Sequence, residues 1–284
     1  MPIHPDALVL PAFARSDYAG GPDAPDEIER WVSAYDFRET VDVPGLPGPL
    51  RYDPGPGVAL TRTGIGKAAA ASSMGGLLAA DAVDLTDTIV ASVGIAGCPP
   101  ATGTLGSVFL ADAVVDWDLK HRLDDDIRPL VWRTGDPVWA LDPALVEPAA
   151  SAAESVALED SVSARGLRMR YDDHRSPSIG IGPTVCGDEV WHGETAAGQV
   201  EALCEFYDVD GFVTTEMEDA GTAMALSRAG LLDQYVSVRA VSNFDRPPAG
   251  MDPGESLGWI DLELGVENAF RAGHAVVEKF VDRG

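Results

Sequence analysis

The sequence predicts an α/β protein, one domain built around a central sheet with helices on both faces. Three observations predict it. Short apolar runs alternate with segments of helical spacing along most of the chain, the pattern of consecutive strand–helix units. Strands run into glycine-containing turns, one of which opens a helix in "TRTGIGKAA" (61–69). At 284 residues and 45% hydrophobic content the chain can bury a large core, and neither a flexible linker nor a fixed-period repeat divides it.

Taken in order, "ALVLPAF" (7–13) reads as a short buried strand ending in a loop. "DEIERWVSAYDF" (26–37) reads as a helix, with Ile28, Trp31, Val32 and Tyr35 at helical spacing. Residues 58–80 give a strand, a glycine turn and an alanine-rich helix; 87–98 and 104–118 give two further strands. The stretch 119–180, rich in Arg, Asp and Pro, shows no assignable period. Residues 196–230 supply helix, strand and helix, 235–250 a strand entering a Pro-rich loop, and 265–284 a closing helix. Sheets of this kind bind ligands outside the carboxyl ends of their strands. The loops of interest are therefore 62–67, 94–103, 116–121, 214–218 and 242–248.

Charge narrows the class of partner. Twenty basic residues against 46 acidic give a net charge of −26, and only Lys67, Lys120 and Lys279 are lysines. Nucleic acid and anionic membrane both require a basic footprint, so neither is an expected partner. The acids are spread along the chain, which suits a solvated surface under strong screening and resembles proteins of salt-loving organisms. Cys98, Cys186 and Cys204 have no metal-ligand spacing, and their odd number points to a reducing, cytoplasmic compartment. No signal-peptide pattern opens the chain, and no apolar run reaches membrane-spanning length.

Several short stretches admit both a structural and a functional reading. "TRTGIGKAA" places Gly64 and Gly66 before a helix, where free N–H groups favour anions, but it matches neither the dinucleotide nor the P-loop pattern. "SVGIAGCPPATGTLGS" (92–107) offers backbone amides near Gly94 or a plain strand-end turn. "PTVCGDEVWHGE" (183–194) gathers Asp188, Trp191 and His192, an aromatic face beside polar groups that suits a planar base. His192 has no second ligand at metal spacing, so no metal site is expected. In "TTEMEDAGTAMALSRAG" (214–230), Thr215 and Glu218 fit a capping box, and acids in a first turn favour the positive helix end. Gly221 and Ala225 suit close packing, while a solvated surface position would account for Asp219. "RAVSNFDRPPAG" (239–250) follows its strand with Asn243, Asp245 and Arg246 together, more chemistry than a turn needs.

In this order, "TGIGKAAAA", "GIAGCPPATGTLGSVFLADAVVDWDL", "GDEVWHG", "TTEMEDAG" and "SNFDRPPAG" resemble the nucleoside phosphorylase superfamily that acts on purine nucleosides, and within it the purine nucleoside permease branch. The resemblance covers residues 61–250. It implies one α/β domain with a partly barrel-like mixed sheet, usually in a homo-oligomer. It also implies a purine nucleoside and phosphate as substrates, with no metal or organic cofactor.

By the family pattern, Glu216, Met217 and Glu218 bind ribose. Glu218 accepts both hydroxyls of the 2′,3′-diol and stabilises the oxocarbenium ion as the glycosidic bond breaks. Trp191, with Asp188 and His192, lies near the base. Several branches place an Asp as general acid where this chain has Asn243, which would favour guanosine or inosine over adenosine; Asp245 is the competing acid. Gly64, Ser92 and Gly94 fall where relatives bind phosphate, and Arg15 could add charge from the early loop. His4 falls where some hexameric relatives reach a neighbour's 5′-hydroxyl. Ile95 and Ser92 depart from the phosphate-binding pattern. The expectation is purine nucleoside phosphorolysis, with hydrolysis at the same site if nothing holds phosphate, or a nucleoside-binding protein without turnover.

Overall fold

The protein is described by a computed structural model covering residues 2–17, 24–124, 126–132 and 137–281. The hub of its sheet is β5 (Ile89–Cys98), which runs parallel to β1 (Ala7–Leu10) on one side and to β12 (Tyr235–Phe244) on the other. Both long strands, "IVASVGIAGC" and "YVSVRAVSNF", are almost wholly buried. Their near-continuous small and apolar residues fit a strand covered on both faces.

From β12 the sheet continues antiparallel to β6 (Val108–Asp116), then parallel through β10 (Ile179–Cys186) to β11 (Thr214–Glu216). A pairing of Thr215 with Gly97 returns β11 to β5. Five strands thereby close into a ring, the barrel-like part of a mixed sheet. On the far side of β1, β4 (Val58–Leu60), β3 (Leu50–Asp53) and β2 (Glu39–Val41) extend it as an open flap. β9 (Val138–Ala140) adds to β6, and β7 (Lys120–Leu123) with β8 (Asp126–Pro129) forms a separate hairpin.

Eight helices cover the sheet among the described residues: α1 (Glu29–Ala34), α2 (Lys67–Ala79), α3 (Pro143–Ala153), α4 (Val162–Met169), α5 (Glu194–Phe206), α6 (Asp219–Ala229), α7 (Pro253–Ser256) and α8 (Leu262–Val281). A Cβ on Gly221 of α6 would lie 2.2 Å from the Lys67 carbonyl of α2, so only glycine allows these helices to approach as they do. The close packing expected of this segment is present. Leu8, Val9, Val90, Val238, Ala269 and Val276 meet in the core, and each fully buried Leu or Val contributes about 1.5–3 kcal/mol.

The α/β alternation is as the sequence predicts, with corrections at the edges. The helix expected over 26–37 is shorter, because Asp26 accepts the N–H groups of Ile28 and Glu29 and starts α1 late. The described residues of the 119–180 stretch fold as a two-stranded pair, an edge strand, two helices and the start of β10. β10 escapes sequence reading because Gly180, Gly182 and Pro183 break its apolar alternation. The last three residues of the predicted closing helix lie outside the described residues.

Candidate active site

A cavity of about 200 Å³ opens at the carboxyl rim of the strand ring. Each of the five loops singled out by sequence contributes to it, through Ile65, Ile95, Trp117, Thr215 to Glu218, and Asn243. Residues 12–13, Glu27 and the 185–191 turn complete the wall. Among the described residues no cluster of side chains suits a metal ion.

The floor is a buried ionic network around Arg239. Its guanidinium meets Glu216 at 2.9 Å and Glu218 at 3.2 Å, forms a two-point contact with Asp219, and donates to Ser92 Oγ at 2.9 Å. Asp219 is fully buried, not solvated surface, and also accepts from Ser92, Tyr235 and Ser237. Burial alone would raise its pKa, but Arg239 and these donors hold it below the usual carboxylate range. A buried guanidinium needs this compensation, since an unpaired buried charge costs several kcal/mol.

The two glutamates that bracket Met217 have different tasks. Glu216 Oε2 accepts the N–H groups of Glu218 at 2.7 Å and Asp219 at 2.9 Å, capping α6. This replaces the expected Thr215–Glu218 capping box: Glu218 occupies the N-cap position but makes no side-chain cap. Instead Glu218 Oε1 accepts the Gly66 N–H at 3.0 Å across the rim. Burial, then the nearby Asp219, pushes Glu216 up to about 8, and burial also raises Glu218.

Glu27 was not anticipated. It is 4% exposed and lines the cavity, accepting the Ala12 N–H at 2.8 Å and the Ile95 N–H at 3.0 Å. A Cβ on Gly94 would stand 2.8 Å from Glu27 Oε1 and 3.0 Å from Arg239 Nη1. Gly94 therefore makes room for an internal carboxyl beside the guanidinium. Desolvation raises Glu27 to about 7, the largest effect, with Glu218 adding to it.

Asn243 reaches the cavity through a register shift between Val241 and Asn243 where β12 runs against β5. Such bulges re-aim side chains beside active sites. Its amide donates to the Phe244 carbonyl and accepts from Ser242 Oγ, leaving one N–H and one lone pair for a ligand. Trp191 lines the cavity beside Trp117, their ring centres 6.3 Å apart.

Other expected ligands lie elsewhere. Asp188 accepts the Lys67 N–H at 2.6 Å and so caps α2. His192 is bonded to Ser256 at 2.7 Å. Burial raises the Asp245 carboxyl, but it is turned to Arg246 at 2.8 Å and does not line the cavity. The expected phosphate ligands are not brought together. Arg15 binds Glu29 and the Ala24 carbonyl, and Ser92 is absorbed by Arg239 and Asp219. The Gly64 N–H donates to Ala12 O, and Gly94 is a strand residue against Glu27. His4 sits near Asp84. Arg239 had a sequence signal, a lone charge in the apolar run "YVSVRAVS". Glu27 had none, being one acid among several in "DAPDEIE".

The closed strand ring with a cavity at its carboxyl rim is the fold of the nucleoside phosphorylases and nucleosidases. The chain belongs to the purine nucleoside permease family, whose model matches residues 4–137 and 131–283. A Schizosaccharomyces pombe protein named as a probable purine nucleoside permease is 27% identical over 260 residues, covering 78% of this chain and 74% of its own. The 5′-methylthioadenosine/S-adenosylhomocysteine nucleosidase of Colwellia psychrerythraea, solved with adenine, superposes with a TM-score of 0.67 at 17% identity, over 99% of this chain and 96% of its own. Futalosine hydrolase of Helicobacter pylori gives a TM-score of 0.64 at 15% identity, over 96% and 97% of the two chains. Among the described residues no helix is long and apolar enough to cross a membrane.

Proposed function

We propose that this protein hydrolyses the N-glycosidic bond of purine nucleosides. The observation that carries the reading is Glu27, a buried cavity carboxyl raised to about 7. A general base works best when its pKa lies near the working pH. Glu27 also occupies the backbone donors of Ala12 and Ile95 that an external anion would need. Arg239 is already engaged by Glu216, Glu218 and Asp219. A phosphate dianion entering here would meet carboxyl groups, whereas water meets a base. This favours hydrolysis over the phosphorolysis expected from sequence.

In this reading Glu218 accepts the ribose diol and Met217 packs on the sugar. As the bond to the base lengthens, positive charge grows on the sugar, and the fixed charge of Glu218 stabilises it where little water competes. Glu27 takes a proton from the attacking water. Asn243, with one N–H and one lone pair free, matches a base with a 6-oxo group, so guanosine and inosine are favoured over adenosine. Support for a purine nucleoside as ligand comes from the family and from the adenine held by the Colwellia enzyme. The test is turnover of guanosine, inosine, adenosine and uridine by the purified chain. The reading requires cleavage of 6-oxopurine nucleosides, and stoichiometric binding without turnover would refute it.

A further inference from the structure

Trp117 follows the last residue of β6 and lines the cavity, 1% exposed. Its backbone is held at both ends: the N–H donates to the Cys186 carbonyl at 2.8 Å, and the carbonyl accepts from Lys120 Nζ at 2.9 Å. The same ammonium group lies over the indole, 3.4 Å from the ring centre. A Cβ on Gly187 would fall 2.9 Å from Trp117 Cδ1, the carbon bonded to Nε1. The pyrrole edge of the indole therefore rests against a lining residue that has no side chain.

Among the described residues nothing accepts the indole proton. Trp117 Nε1 is buried without a hydrogen-bond partner, although the N–H of a buried Trp usually finds one. Leaving such a donor unpaired costs its desolvation with no return. Glu216 Oε1, the other orphaned atom of the lining, belongs to the acids around Arg239. Trp117 stands instead beside Trp191, the residue expected next to the base. Its N–H can only donate, so it accepts as partner a ring nitrogen or a carbonyl and no amino group. The Lys120 cation on the ring face draws on the π electrons, which makes the N–H a stronger donor.

We infer that Trp117 is a further catalytic residue of this cavity, its indole N–H donating to a ring nitrogen or the carbonyl of the departing purine. The inference rests on the hydrolytic reading above and adds a residue to it. As the C1′–N bond breaks, the bonding pair moves onto the purine, and negative charge spreads over its ring nitrogens and 6-oxygen. A donor already fixed in place holds that anion more strongly than the neutral base, which lowers the barrier. Water meanwhile bonds to C1′ and gives its proton to Glu27. The purine regains a proton through solvent, so nucleoside and water become ribose and neutral base.

Trp117→Phe keeps an aromatic ring beneath Lys120 and deletes the N–H. With inosine, kcat should fall about tenfold to a hundredfold while KM moves by less than about threefold, because the bond counts mainly in the transition state. A purely structural Trp117 would instead give a loss of thermal stability with kcat unchanged. A second readout uses the intact indole. In Glu27→Gln carrying isotope-labelled tryptophan, saturation with inosine should move the Trp117 indole proton to lower field, the mark of a new hydrogen bond, while the Trp191 signal reports that the cavity is filled. An unchanged kcat in Trp117→Phe, or a Trp117 signal that stays in place as the cavity fills, overturns this inference and leaves inosine hydrolysis standing. If inosine is neither bound nor cleaved, the hydrolytic reading falls and the inference with it.

Discussion

The Glu216 carboxylate accepts the backbone N–H of Glu218 at 2.7 Å, and this contact separates two acids that look equivalent in sequence. Glu216 is spent on the start of α6 and on Arg239, while Glu218 reaches across the rim to Gly66. The two should fail differently. Glu216→Ala uncaps α6 and removes one buried acceptor from Arg239, a loss of about 1–3 kcal/mol in denaturant unfolding. Glu218→Gln should fold normally and lose about two to three orders of magnitude in turnover. Reversed behaviour of the two variants would reverse the assignment.

Glu27 must be ionised to accept a proton from water. The rate should therefore rise with pH through about 7, the value to which burial pushes this carboxyl, and then level off. Glu27→Gln should lose that limb together with most of the activity. A variant that keeps a wild-type pH profile would remove Glu27 from the mechanism.

The same carboxyl has a cost in stability. Glu27 and Glu216 both hold their protons more tightly in the folded chain, at about 7 and about 8 against an ordinary 4.5. The folded state binds more protons, so their contribution is complete below about pH 4.5 and is lost as pH rises through the folded values. Unfolding free energy should fall between pH 5 and 8, and Glu27→Gln should remove on the order of 3 kcal/mol of that fall. Denaturant titrations at fixed ionic strength measure it, and identical slopes in the two proteins would contradict it.

Gly221→Ala tests the scaffold apart from the chemistry. The added methyl group meets the Lys67 carbonyl at 2.2 Å, so α2 and α6 must separate, at about 1–3 kcal/mol. Because Gly66, the residue before α2, donates to Glu218, some loss of turnover should accompany the loss of stability. A substitution that leaves both unchanged would show that the helices separate freely.

Much of this arrangement is written locally. Apolar runs and glycine turns placed most of the core strands, and loops at their carboxyl ends marked where the cavity would open. Glu218, Met217, Asn243 and Trp191 all line it. What escaped is long-range. Whether Arg15 or Ser92 faces a ligand depends on partners such as Glu29 and Asp219, which no spacing rule supplies. Glu27 reaches the cavity because the early chain, the 94–95 strand segment and Arg239 converge there. Asp219 looked like surface because its burial depends on Tyr235, Ser237 and Arg239, which follow it by at least 16 residues.

The central claim is that water, activated by Glu27, is the nucleophile. It is tested most directly by cleaving guanosine in phosphate-free buffer and again with added phosphate, and identifying the sugar released. The account predicts free ribose at the same rate in both. Ribose 1-phosphate as product, with a rate that requires phosphate, would contradict it.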